Sequence, residues 1–131
     1  MSPNRHTFTT PILSVVLAVI CVLISLLAWQ SWSYFRLYLE SAFAEEQTRI
    51  FEDCREKALL SNAAGAAFWL DQVFIYYPSG SKQRTGSHLD HVVERHRLAV
   101  AREIIAHLRR VTGQDLGDKP EPWVKKYTKN E

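Results

Sequence analysis

The segment from Ile12 to Trp29, ILSVVLAVICVLISLLAW, runs for 18 residues without a charge. A helix rises ~1.5 Å per residue, so the run reaches roughly 27 Å, against a hydrocarbon thickness of ~30 Å. The core helix of a soluble protein would carry a polar stripe. Here only Ser14 and Ser25 are polar, and their hydroxyls can bond back to helical carbonyls. Just beyond, Trp29, Trp32, Tyr34, Phe35 and Tyr38 supply an aromatic belt of the kind found at membrane interfaces, and Arg36 has the reach to snorkel to headgroups. A cleavable signal peptide would have a shorter apolar region, ~7–15 residues, followed by an A-x-A site that is missing here. Cys21 follows Ile20 deep in the run and reads as a small hydrophobe rather than a lipidation site. These features predict an uncleaved anchor: a disordered tail over 1–10, a span over 11–35 and an exposed domain over 36–131. Arg5 before the span and Arg36 after it nearly balance the positive-inside rule. A tiny tail left in the cytoplasm would put the C-terminal domain outside.

About a hundred residues remain for one small domain. The formal net charge of the chain is +2, which excludes the strongly basic footprint of a nucleic-acid binder. Charge is distributed unevenly. Arg36 to Lys57 holds four Lys/Arg and six Asp/Glu, whereas Lys82 to Arg110 holds seven and three. An acidic first helix and a basic later one can pair with each other or meet opposite partners. Cys54 lies beyond the span from Cys21, so the two cannot pair within one chain. Packing is the preferred role for Cys54, and a dimer cross-link the alternative.

After the span no Gly or Pro occurs before Gly65, so the helix is expected to continue as a stalk to about Ser61. Leu39, Phe43, Ile50, Cys54 and Ala58 recur near one face, with Gln47 on the seam. Leu59 to Tyr77 reads as a buried apolar helix whose small residues, Ala63 to Ala67, permit close approach; Asn62 or Gly65 marks the break from the stalk. Pro78 ends that helix. PSGSKQRTG, Pro78 to Gly86, then interleaves Lys82 and Arg84 with hydroxyls. The composition suits an anion, but the G-x-x-x-x-G-K-[ST] spacing is missing and no strand precedes it. Ser87 to Asp90 fits a capping box. The next helix runs to about Val111, with Val93, Leu98, Val100, Ala101, Ile104, Ile105, Leu108 and Val111 on one broad half. Arg95, Arg102 and Arg109 line its border, and His96, Glu103, His107 and Arg110 are expected to face away. The arginine row suits either an acidic partner surface or a snorkelling rim.

His88 and His91 stand one turn apart with Asp90 between them. Zinc needs three or four ligands, and no third is evident. No nucleophile signature is present. Asp71 and Glu103 are the best candidates for a buried acid, with nothing to pair them. No cofactor is expected.

In the tail, Gly113 and Gly117 punctuate two turns, Asp118 is placed to cap a short helix with Pro120 or Pro122 in its first turn, and Trp123 is placed to plug the domain. TGQDLG-x-x-P-x-x-W, Thr112 to Trp123, resembles the closing segment that follows helical, HEAT-like repeats in uncharacterised proteins of planctomycete type. The resemblance covers about a dozen residues and implies helical packing and a bacterial origin, with no activity attached.

The expected fold is all-α: an N-terminal transmembrane helix extending into a stalk, a small helical-hairpin domain and a short C-terminal helix. The preferred functional expectation is a non-catalytic, single-pass scaffold or accessory subunit in the bacterial cell membrane. Its partners are the lipid bilayer and a protein, or further copies of itself, met through Arg95, Arg102 and Arg109. A second expectation is a module that holds an anionic ligand between Ser79 and His88, using Lys82, Arg84 and His88. A third is a metal-dependent hydrolase built on His88, His91 and Asp90.

Overall fold

The computed structural model describes residues 9–78 and 80–128. Four helices follow in order: α1 Thr9–Leu59, α2 Ala63–Ile75, α3 His88–Thr112 and α4 Pro120–Tyr127. Among the described residues there is no strand, so the fold is all-α. The tail expected over 1–10 lies outside the described residues except for Thr9 and Thr10, which open α1 ahead of Pro11. Pro11 therefore falls in the first turn, where its missing N–H breaks no helical bond.

Contacts divide the chain into two units, residues 1–39 and 40–131. In the first, every side chain from Pro11 to Leu39 is exposed, and this helix is long and apolar enough to cross a membrane. Two of its hydroxyls bond back to the helix itself: Ser25 donates to the Cys21 carbonyl at 2.8 Å and Ser33 to the Trp29 carbonyl at 3.0 Å. That arrangement needs no water, as a lipid environment requires.

The second unit holds α1 from residue 40 onward with α2, α3 and α4. Its core joins Phe51, Cys54 and Ala58 of α1 to Ala66, Ala67, Leu70 and Val73 of α2, to Val93, Val100, Ile104, Ile105 and Leu108 of α3, and to Trp123 of α4. α1 ends at Leu59, and Asn62 caps α2, its side-chain oxygen accepting the Gly65 N–H at 2.9 Å. A Cβ on Gly65 would stand 2.7 Å from the Ser61 Cβ, so the reversal needs glycine there. α2 stops at Ile75, two residues short of the sequence expectation, because Tyr76 is extended and Tyr77 adopts φ +51 ahead of Pro78.

α3 begins at the Ser87 cap, whose hydroxyl accepts the Asp90 N–H at 3.2 Å, and closes on Gly113 at φ +67. Its orientation corrects the sequence reading. Leu98 and Val111, expected in the core, are 46% and 49% exposed, while Arg97 is buried. His96, Glu103 and His107, expected to face away, instead line the seam with α1. His96 Nε2 lies 3.0 Å from Glu52, Arg55 donates to Glu103 at 2.9 Å, and His107 Nε2 lies 3.2 Å from the Ser61 carbonyl. The apolar arc of α3 is broad enough to permit this rotation, which brings His96 and Glu103 to Glu52 and Arg55 of α1. The three contacts climb both helices together, so α1 and α3 run parallel, with α2 returning between their ends.

α4 brings a second correction. Lys119, not Asp118, is its N-cap, with Pro120 in the first position and no side-chain cap bond. Asp118 is taken by Arg109, which donates to it at 2.7 Å. Trp123 is fully buried, and its indole N–H donates to the Gly117 carbonyl at 2.8 Å. The indole therefore fills the core without stranding its polar edge.

Candidate functional site

The connection between α2 and α3 is held from behind by Asp90. This carboxylate is 5% exposed and accepts the Gly86 N–H at 2.8 Å and the Gly80 N–H at 3.2 Å. Both glycines have positive φ, +76 and +74, and at Gly80 an added Cβ would collide with the Thr85 hydroxyl. The capping box thus forms only in part. Ser87 caps Asp90 as expected, but Asp90 turns to the two glycine amides rather than to the Ser87 amide, which bonds the Arg84 carbonyl at 2.9 Å.

Lys82 extends from this loop to lie over two rings, its Nζ 4.9 Å from the centre of Phe43 and 5.2 Å from that of Tyr77. Its ammonium is thereby directed at aromatic faces, a contact worth about 0.5–1 kcal/mol at an exposed site. Arg84 and His88 are exposed, whereas the ring contacts of Lys82 are with Phe43 and Tyr77. His91 is exposed as well, and both Asp90 oxygens are occupied by the glycine amides. Among the described residues, no three His, Cys, Asp or Glu side chains converge in a way that would hold a metal ion.

Behind the loop lies a buried arginine that sequence reasoning passed over. Arg97 is 4% exposed; its guanidinium donates to the Tyr77 carbonyl, stands 5.0 Å from the centre of the Phe51 ring and lies 3.4 Å from Glu94. Gln47 and Gln83 are buried beside the same elements, at 2% and 4% exposure. The signal for Arg97 was its place on the apolar stripe, one turn from both Val93 and Ala101.

The arginine row divides. Arg95 and Arg102 are exposed, and among the described residues neither has an ion pair or a hydrogen bond. Arg109 is half-buried and closes the segment before α4 by donating to Asp115 at 2.9 Å and to Asp118 at 2.7 Å. The Asp118 and Asp115 bonds raise the pKa of Arg109. The Gly117 amide, then Arg109, lowers that of Asp115.

Cys54 is buried, and burial, followed by the Asp53 charge, pushes its thiol up from the ordinary value. A neutral buried thiol is a poor nucleophile. Glu103 is exposed and paired with Arg55, whose pKa it raises. Asp71 is half-buried on a groove of about 470 Å³ between α2 and α4, among Phe74, Pro120 and Val124. Comparison with family models, with curated proteins and with solved structures gave no match for this chain.

Proposed function

We propose that this protein is a non-catalytic, single-pass scaffold or accessory subunit of a membrane-associated assembly. The observation that carries this reading is the outward face of α3. There Arg95 and Arg102 stand exposed, seven residues apart, with no counter-charge among the described residues. Arginines in this setting suit an acidic partner surface. The exposed apolar helix from Pro11 supports an anchor in a bilayer, which we assign to a bacterial cell membrane with the C-terminal unit outside the cytoplasm. Extraction of the full chain from native membranes in mild detergent, followed by affinity isolation, tests the scaffold. The expected result is a stoichiometric co-isolated protein, or further copies of the chain, lost when Arg95 and Arg102 are both replaced by Glu. A chain isolated alone as a monomer would overturn it. Alkaline phosphatase fused to the C-terminus tests orientation and is expected to be active.

A second reading treats the loop as an anion-binding module. Its support is the preorganisation of the loop by Asp90, with Arg84 and His88 exposed on it. On that reading phosphate raises the melting temperature of the wild type but not of Lys82→Ala/Arg84→Ala. No shift with the wild type would dismiss it.

A further inference from the structure

We infer that the groove between α2 and α4 is a binding site for a small organic ammonium ion, a primary amine on a short alkyl chain. Asp71 takes the ammonium, and the apolar walls take the chain. The site is independent of the α3 face that carries the scaffold reading.

The groove begins with the sequence of α2. AAGAAFWLDQVFI is apolar but for Asp71 and Gln72, and Asp71 is its one charge. Leu70 and Val73 turn into the core, which leaves Asp71 half-buried on the outer side of the helix. Phe68, Phe74 and Ile75, three or four residues from it, share that side, and Phe68 and Ile75 are 47% and 59% exposed. The opposite wall is α4. Trp123 fills the core there, leaving Pro120, Glu121, Val124 and Lys125 along the groove.

The aspartates of the connecting segments all have donors. Asp90 holds the Gly80 and Gly86 amides, and Asp115 and Asp118 hold Arg109. The Asp71 side chain, in contrast, has no hydrogen bond or ion pair among the described residues, and neither has that of Glu121 across the groove. Lys125 is the one cation along the groove among the described residues; it is exposed and pairs with neither carboxylate. Two carboxylates against one ammonium leave the lining one negative charge in excess.

These walls select a chemistry. A carboxylate taken out of water without a donor is costly. A neutral apolar molecule filling the groove therefore leaves Asp71 unsatisfied, and an anion meets two like charges. A primary ammonium brings three donors and a full positive charge to the carboxylate, while its hydrocarbon covers Phe74, Pro120 and Val124. The groove holds about 470 Å³, within the range of small-molecule sites, ~300–1,000 Å³.

The test uses the full chain in nanodiscs of zwitterionic lipid, with hexylammonium as the probe and 1-hexanol and hexanoate as its neutral and anionic counterparts. Binding is read from the methyl resonances of Val124. Hexylammonium is expected to shift them saturably, with a Kd about tenfold below that of hexanol, and hexanoate to leave them in place. Asp71→Asn keeps the shape of the side chain and should weaken hexylammonium by about tenfold. Lys125→Gln removes the competing cation at an exposed position and should tighten it about twofold. No saturable shift with the wild type, equal affinity for hexanol and hexylammonium, or a hexylammonium affinity unchanged in Asp71→Asn would each overturn the site. Where circular dichroism shows Asp71→Asn unfolded, the hexanol comparison and Lys125→Gln decide: equal affinities, or no tightening, overturn it.

Discussion

Arg97 donates a hydrogen bond to the carbonyl oxygen of Tyr77, the one described non-glycine residue with positive φ. The left-handed conformation costs a residue with a Cβ about 1–2 kcal/mol, and here it lets the chain leave α2, pass under Lys82 and reach α3. The buried guanidinium fastens that exit to the core at the Phe51 ring.

Arg97→Ala strands the Tyr77 carbonyl and leaves a void under Phe51. A loss of about 2–4 kcal/mol is expected, which lowers the melting temperature of the second unit by about 8 °C or more. Arg97→Lys keeps a donor but not the planar stack, and should fall between the two. Thermal unfolding followed by circular dichroism checks the order.

Asp90→Ala removes the acceptor of two backbone amides and should cost about 1–3 kcal/mol. The loss is local, so amide hydrogen exchange at Gly80 and Gly86 should accelerate while that of Ile104 and Leu108 stays slow. Asp90→Asn retains one carbonyl acceptor and should protect one of the two glycines.

Trp123→Ala empties the largest buried side chain of the unit, at about 3–5 kcal/mol. Trp123→Phe keeps most of the apolar volume and loses the donor to the Gly117 carbonyl, at about 1–2 kcal/mol. Chemical unfolding of the two variants separates the volume filled from the hydrogen bond made.

Asp115 gives the pH dependence. The Gly117 amide and Arg109 favour its carboxylate, so its pKa in the folded chain lies below that in the unfolded chain. Its contribution is complete above the unfolded value, ~3.9, and disappears as the pH falls through the folded one. The melting temperatures of the wild type and of Asp115→Asn should therefore differ at neutral pH and converge as the pH drops below about 4.

The helices were legible in the sequence because their signals are local. The apolar run, the break at Asn62 or Gly65, the Ser87 cap, Pro78 and Gly113 each act within a turn of where they stand. What could not be read depends on contacts between distant segments. The arc of α3 spans half the helix, so periodicity alone allowed Leu98 inside and His96 outside; the rotation is visible only in the contacts of His96 with Glu52 and of Glu103 with Arg55 on α1. Asp118 has the right chemistry for a cap, yet Arg109, one helix away, competes for it more strongly. The candidate site was legible as composition rather than arrangement. Lys82 and Arg84 stood out as cations on a loop, but that Lys82 would rest on Phe43 requires knowing that the loop returns to α1. Arg97 interrupts the apolar pattern at a core position, a signal that the sequence reading passed over and that only its contacts with Tyr77 and Phe51 bring out.

On the proposed function, this small helical unit is held at a bilayer by the helix that begins before Pro11. Alkaline carbonate extraction of native membranes tests it most directly. The full chain should remain in the membrane pellet and be released only by detergent. Release of the intact chain into the carbonate supernatant would contradict it.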